Sequence, residues 1–357
     1  MSSSARYLVG IDLGTTNTAI AHVDLEESKQ IVDDPVLQLV AAGEVATRPT
    51  LPSMLYLYGG HELPAAQLRL PWQSADDKAE PGTRLVGELA RQQGALVPGR
   101  LIASAKSWLC HPRVDRLAPI LPWGESIPGL TKVSPVDASA EYLRHLQSFW
   151  RHQMGCELAD QEVVLCVPAS FDEVARELSL RAATAIGLSP TLLEEPQAAF
   201  YAWLAASPEA AALQPGDTVL VFDVGGGTTD FSLITVQQDE GGARRYERTA
   251  VGDHLLLGGD NMDLLLARKV EGRLGTKLDA HGFSQLVQAC RNAKERLLSD
   301  HPKDSWTVHV AGRGLRLIGG AMKDELLRSE VEELILDGFF PRVAADAQPQ
   351  RRGGLQE

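Results

Sequence analysis

One short pattern occurs twice in this chain and limits the folds open to it. Val9-Gly10-Ile11-Asp12-Leu13-Gly14-Thr15-Thr16-Asn17-Thr18-Ala19 stands near the start, and Val221-Phe222-Asp223-Val224-Gly225-Gly226-Gly227-Thr228-Thr229-Asp230-Phe231 past the midpoint. Each reads as an apolar strand, an aspartate, a glycine turn with hydroxyl residues, and a second apolar strand. A turn with little side-chain bulk lets backbone N–H groups point at phosphate oxygens, and threonine hydroxyls add donors. The aspartate does not usefully face a phosphate; it is suited to hold Mg²⁺ through water. Two such turns facing each other would grip a nucleotide polyphosphate from both sides. A Walker loop requires Gly-Lys-Ser/Thr before a helix, and neither copy has the lysine. A dinucleotide fingerprint opens a helix, whereas β-branched residues follow both turns here. One Gly-Gly-Gly-Thr would fit any hairpin; its duplication with a preceding aspartate carries the reading.

Composition narrows the classes further. The 357 residues allow two to three domain-sized units with an ample core. No apolar run is long enough for a membrane span, and the N-terminus has no signal-peptide core, so no membrane partner is expected. Cys110, Cys156, Cys166 and Cys290 are widely spaced with no Cys-x-x-Cys, which reads as free thiols in a reducing cytoplasm. A net charge of −13 disfavours nucleic acid as a partner. It leaves nucleotide binding open, since that depends on local N–H groups and a metal.

Strands and helices alternate along the chain, which predicts α/β layers. A strand pair spans 6–24, with strand-like segments over 31–40 and 53–58 around the proline-punctuated loop 48–53. Residues 61–83 read as a surface excursion, 85–91 as a short strand or turn entering a helix, and 100–109 as helical by apolar spacing. A helix over 138–154, a strand over 162–167, a helix over 171–186 closed by Gly187 and a helix over 197–206 follow. Beyond the second turn come a strand over 246–251, a helix opened by 257–263 and running to 274, and a helix over 283–298. Strand-like 306–310 and 315–318 precede a helix over 323–336 and a polar tail over 344–357.

These motifs, in this order, resemble the ATPase domain of the seventy-kilodalton heat-shock chaperone family, an α/β domain of the actin-like (ribonuclease H-like) fold. Gly10 to Asn17 is similar to the family's opening signature and Val221 to Asp230 to its second. Val167-Pro168-Ala169-Ser170-Phe171 with Arg176, Glu194-Glu195-Pro196-Gln197-Ala198-Ala199 and Gly258-Gly259-Asp260-Asn261-Met262-Asp263 resemble its linking segments. The match spans most of 6–300 and is least clear over 60–135. The resemblance implies that Asp12 and Asp223 hold Mg²⁺ through water. It implies that Gly14, Thr15, Thr16, Asn17, Gly225, Gly226, Gly227, Gly258, Gly259 and Asp260 line the nucleotide, with Thr228 near its γ-phosphate. Lys106 takes the place of the catalytic lysine, Glu195 orients a water, and Lys294 contacts the ribose. Pro168 and Arg176 match a proline switch that relays nucleotide state to the surface.

The resemblance further implies a two-lobed ATPase that binds ATP or ADP with Mg²⁺, hydrolyses ATP slowly, and serves client proteins and co-chaperones within a full-length chaperone. It divides the chain into lobe I over 1–214, with a core of 1–47 and 134–214 and a smaller subdomain 48–133. Lobe II covers 215–343, with a core of 215–257 and 320–343 and a smaller subdomain 258–319, and 344–357 is a tail or linker. Two departures stand out. Glu295 occupies the position where the family stacks an arginine on adenine, and Arg291 replaces a glutamate. No Gly-Gly-x-x-Arg segment with the family's flanks follows Val310, so the second lobe is expected to be incomplete. A nucleotide-sensing scaffold, a sugar-type kinase and a filament-forming relative of the same fold stay open as alternatives.

Overall fold

The structure, a computed structural model, describes residues 5–27, 30–74, 79–111, 113–123, 129–239, 241–252, 255, 257–310 and 322–348. The chain divides into two compact units, residues 1–259 and 260–357. The first unit is built around a six-stranded sheet. Its central strand β1 (Tyr7–Leu13) runs antiparallel to β2 (Asn17–Asp24) and parallel to β10 (Glu162–Val167). Beyond these lie β3 (Ile31–Asp33) against β2 and β11 (Thr191–Glu194) against β10, and the short β6 (Leu51–Pro52) also pairs with β2. Alternation in β1 sends Val9, Ile11 and Leu13 into the core, where each is at most 3% exposed.

Helix α3 (Pro135–Met154) supplies much of that core through Tyr142, Leu143, Leu146, Phe149 and Trp150. A capping box between Ser134 and Asp137 starts it, and Gly155 in the left-handed region ends it. Helix α4 (Glu173–Thr184) begins where the Asp172 side chain accepts from the Ala175 N–H. Helix α5 (Glu195–Ala206) follows β11 directly, with a proline in its first turn.

Two smaller sheets complete this side of the unit. Strand β4 (Val36–Ala41) pairs with β5 (Glu44–Arg48). Strand β7 (Met54–Leu57) lies between β8 (Arg84–Val86) and β9 (Leu101–Ala103), with α1 (Glu88–Leu96) packed on them. The helix expected over 100–109 is therefore a strand followed by the short α2 (Ala105–Leu109). Leu101, Ile102 and Ala103 pair with Tyr56, Leu55 and Met54, so a non-local partner overrides the helical spacing. Ser104 turns the chain between them with φ of 54°, the sole non-glycine residue at positive φ among those described.

The second glycine pattern forms its own sheet, with β13 (Thr229–Gln238) between β12 (Thr218–Val224) and β14 (Arg244–Val251). In the second unit, helices α6 (Gly259–Leu274) and α7 (Ala280–Leu297) pack with a hairpin of β15 (Ser305–Val310) and β16 (Met322–Leu327). Short α8 (Arg328–Glu332) runs on into a π-helical turn over Glu333–Asp337. The helix expected over 323–336 is thus a strand over its first five residues. Charged Lys323, Asp324 and Glu325 pair with His309, Val308 and Thr307, a partnership that sequence periodicity does not register. The strand expected over 315–318 and the end of the tail, from 349, lie outside the described residues. No described helix is long and apolar enough to cross a membrane.

Candidate nucleotide site

Both glycine patterns form the strand–turn–strand units that their sequences predict, and both belong to the first unit. In the first, Asp12 is near the end of β1 and Asn17 opens β2. A Cβ on Gly14 would lie 2.2 Å from the Asn17 carbonyl oxygen, so only glycine closes this turn. The 51–53 segment braces it from outside. The Ser53 N–H donates to the Thr16 carbonyl at 2.8 Å, and its hydroxyl donates to the Gly14 carbonyl at 2.7 Å. Gln38, fully buried, holds the approach to this brace by donating to the Thr50 carbonyl at 2.9 Å.

In the second turn the Gly225 N–H donates to the Thr228 carbonyl at 2.8 Å, and the Gly259 N–H donates to the Gly225 carbonyl at 3.1 Å. The Thr229 hydroxyl donates to the Leu257 carbonyl at 2.7 Å and ties the turn to the 257–259 segment. Gly258 sits so close that a Cβ there would come within 2.6 Å of the Gly225 and Gly226 carbonyl oxygens. The Thr228 hydroxyl donates to an Asp230 carboxylate oxygen at 3.2 Å.

The two turns meet. A Cβ on Gly226 would fall 1.5 Å from Thr16 Oγ1, and one on Gly227 would lie 3.1 Å from Thr15 Cγ2 and 3.5 Å from Ser107 Oγ. Ser107 follows Lys106 on α2, so the turns and the lysine helix share one neighbourhood. Lys106 is 6% exposed and forms an ion pair with Glu195, the first residue of α5. The Lys106 ammonium also lies 5.9 Å from the Phe171 ring. Trp108, two residues along α2, stacks on His111 at 5.3 Å and meets the exposed Trp123 at 4.7 Å between ring centres.

Electrostatics bind these residues into one cluster. Asp12 keeps solvent access, yet the protein around it raises its carboxyl above the ordinary range; nearby Glu195 and Asp223 push the same way and Lys106 opposes them. Asp223 is raised by burial and then by Glu195 and Asp230, again opposed by Lys106. Cys166, beside Asp12 on the neighbouring strand, is pushed up to about 12 by burial and by the Asp12 and Glu195 charges. Three carboxylates thus share one cation.

That surplus of negative charge, on hard oxygen donors, fits a divalent cation held by Asp12 and Asp223. The anion side fits as well. Thr16 Oγ1 is buried at the meeting of the turns with no hydrogen-bond partner, an arrangement that a phosphate oxygen would satisfy. Ser53 and Ser107 adjoin the turns without having been legible in the sequence, because their roles come from contacts distant along the chain.

Asp260 and Lys294 belong to the second unit, and there they enter a different cluster. Asp263, 1% exposed, receives Lys294 at 2.6 Å and Arg291 at 3.1 Å, and Arg291 also pairs with Asp260. Burial raises the Asp263 carboxyl, opposed by Lys294 and Arg291. Glu295 is more than half exposed, with its carboxylate 3.9 Å from Arg291. The arginine that departs from the family pattern is thus an internal counter-ion of α6 and α7.

Comparison with known proteins identifies the family. Residues 80–348 match the family model described as Hsp70 protein. A chaperone protein HscA homolog of Shewanella denitrificans is 30% identical over 98% of this chain and 50% of its own length. Its counterpart in Pseudomonas aeruginosa is 32% identical over 97% and 48%, and that of Actinobacillus pleuropneumoniae 32% over 73% and 37%. The chain therefore spans about half the length of the curated relatives it matches. It belongs to the Hsp70 family, with the α/β, actin-like ATPase fold of that family's nucleotide-binding region.

Proposed function

We propose that this chain binds Mg-ATP and Mg-ADP at the two glycine turns and hydrolyses ATP slowly, as a conformational switch for protein folding. The observation that carries the reading is the gathering of Asp12, Lys106, Glu195 and Asp223 around the meeting point of the turns. Gly14, Thr15, Thr16 and Asn17 on one side, and Gly225, Gly226, Gly227 and Thr228 on the other, offer N–H and hydroxyl donors to phosphate oxygens. Asp12 and Asp223 are the residues that would hold Mg²⁺. The ion, when bound, neutralises phosphate charge. Lys106, with its head group confined by Glu195, presents a fixed cation to the γ-phosphate, where charge moves during transfer. Glu195 accepts a hydrogen bond from the attacking water and orients it in line.

Client proteins and co-chaperones are proposed for the full-length protein, in a cytoplasm that keeps Cys110, Cys156, Cys166 and Cys290 as thiols. The test is phosphate release from ATP with Mg²⁺ by the purified chain. Asp12→Asn and Lys106→Ala should each lower turnover roughly a hundred-fold, the scale of removing one electrostatic stabiliser. Equal turnover in all three proteins would sink the assignment.

A second reading, a nucleotide-sensing scaffold without turnover, draws on the second unit. Lys294 and Arg291, which stand where the resemblance expects nucleoside contacts, are both engaged by Asp263. Calorimetry separates the two readings: Mg-ADP binding without phosphate release supports the scaffold.

A further inference from the structure

Glu194 and Glu195 are consecutive but face different partners. Glu195 meets Lys106 in the cluster described above. Glu194, the last residue of β11, turns its carboxylate to two arginines from different layers. Arg176 of α4 donates Nη2–H to its Oε1 at 2.7 Å, and Arg248 of β14 donates Nη2–H to the same oxygen at 2.9 Å. Arg248 Nε also lies against Oε2 as an ion-pair contact, without a hydrogen bond between the two atoms. The Glu194 side chain is only 12% exposed. Arg176 is anchored in turn by the carbonyls of Phe171 and Ala169, at the corner that follows Pro168.

Arg248 is the informative member. It projects from the sheet that carries Asp223 and Gly225 to Gly227, yet its partner is the residue preceding Glu195. The strand is also built to send it there. In the β13–β14 ladder Leu233 faces Ala250 and Ile234 faces Arg248, so Thr249 is an extra residue and the register shifts beside Arg248. A bulge of this kind re-aims the side chain next to it.

We propose that Arg248 is a positioning residue for ATP turnover. Through Glu194 it fixes the β11–α5 junction relative to the second glycine turn, and so sets where the Glu195 carboxylate stands when water attacks. This assignment rests on the nucleotide reading above. The phosphate and metal contacts are made by other residues, so Arg248 should govern turnover rather than affinity.

The experiment compares Arg248→Met, Arg248→Lys, Glu194→Gln and the Arg248→Met/Glu194→Gln double variant with the wild type. Phosphate release at saturating Mg-ATP and Mg-ADP affinity by calorimetry are the readouts. Arg248→Met should lower kcat about ten-fold, on the scale set by small misplacements of a reacting group, while the Kd for Mg-ADP stays within about two-fold. Arg248→Lys should recover part of the loss. In the Glu194→Gln background, Arg248→Met should add little, because the two residues act as one pair. Unchanged kcat in Arg248→Met overturns the proposal, as does a full second loss in the double variant. A loss of Kd in step with kcat overturns it too, since that marks a purely structural role. A wild-type chain inert to Mg-ATP overturns both the proposal and the hydrolysis reading, whereas active wild type with an indifferent Arg248→Met overturns the proposal alone.

Discussion

The two glycine turns share a sequence plan but differ in what surrounds them. Strand β1 has hydrogen-bonded neighbours on both sides and α3 packed against it, and its alternate residues Val9 and Ile11 are at most 1% exposed. Strand β12 has a single hydrogen-bonded neighbour, β13, among the described residues, with α5 against it, and its alternate residues Leu220 and Phe222 are 58% and 48% exposed. The turns themselves keep their form in both settings. Turn geometry is therefore a local property, set by glycine and a few hydrogen bonds, whereas the stability of the strand that delivers it is set by neighbours. The first turn has a platform in the core of its unit; the second is carried on a three-stranded sheet.

Substitution in the two delivering strands is the strongest way to break this comparison. Ile11→Ala should cost about 3–4 kcal/mol of unfolding free energy, through lost burial and the cavity left behind. Leu220→Ala should cost less than ~1 kcal/mol, as an exposed strand position. Comparable losses in urea titrations of the two variants would mean that β12 is as well supported as β1.

Acid comes next, because α3 carries a buried histidine behind the first sheet. His145 is 6% exposed, its Nε2 lies 2.9 Å from the Leu37 carbonyl, and burial holds its pKa down to about 4. A neutral ring donates Nε2–H to that carbonyl. The unfolded histidine titrates near ~6.5. Above that pH both states are neutral and His145 adds no pH dependence. As pH falls from about 6.5 toward about 4, the unfolded chain takes up the proton first, and stability is lost by up to about 3 kcal/mol. His145→Gln should flatten that part of the stability–pH curve in chemical denaturation. An unchanged slope would show that the acid sensitivity lies elsewhere.

The smallest expected effect separates the turns themselves. Gly14→Ala drives a Cβ to 2.2 Å from a backbone oxygen, whereas Gly225→Ala places one at an ordinary 3.4 Å from the Thr228 carbonyl. Gly14→Ala should cost about 1–3 kcal/mol as local strain, and Gly225→Ala under ~1 kcal/mol. Thermal melts of the pair test this, and the reverse ranking would refute the local account of turn geometry.

The same division explains what could be read in the sequence. The turns, α3, β10, α4 and α5 were legible because their signals are short-range: glycines after an aspartate, a 3.6-residue apolar period, a strand stopped by Pro168. Lys106 and Glu195 were placed by family resemblance alone, and the structure brings them into one ion pair. The segments misread as helices, 100–109 and the start of 323–336, owe their form to partners 47 positions away at Leu55–Ile102 and 16 at Val308–Asp324. Ser53 and Arg248 escaped for the same reason. A serine after a proline and an arginine in a polar strand carry no local mark of the residue they touch.

Helix α2 is only five residues long, and it holds Lys106 and Trp108 together. The indole next to His111 and Trp123 is thus mechanically joined to the ammonium group that pairs with Glu195. The chain consequently carries its own optical gauge. Any displacement of α2 would change the packing of two adjacent indoles, so intrinsic emission would report on the lysine without a label.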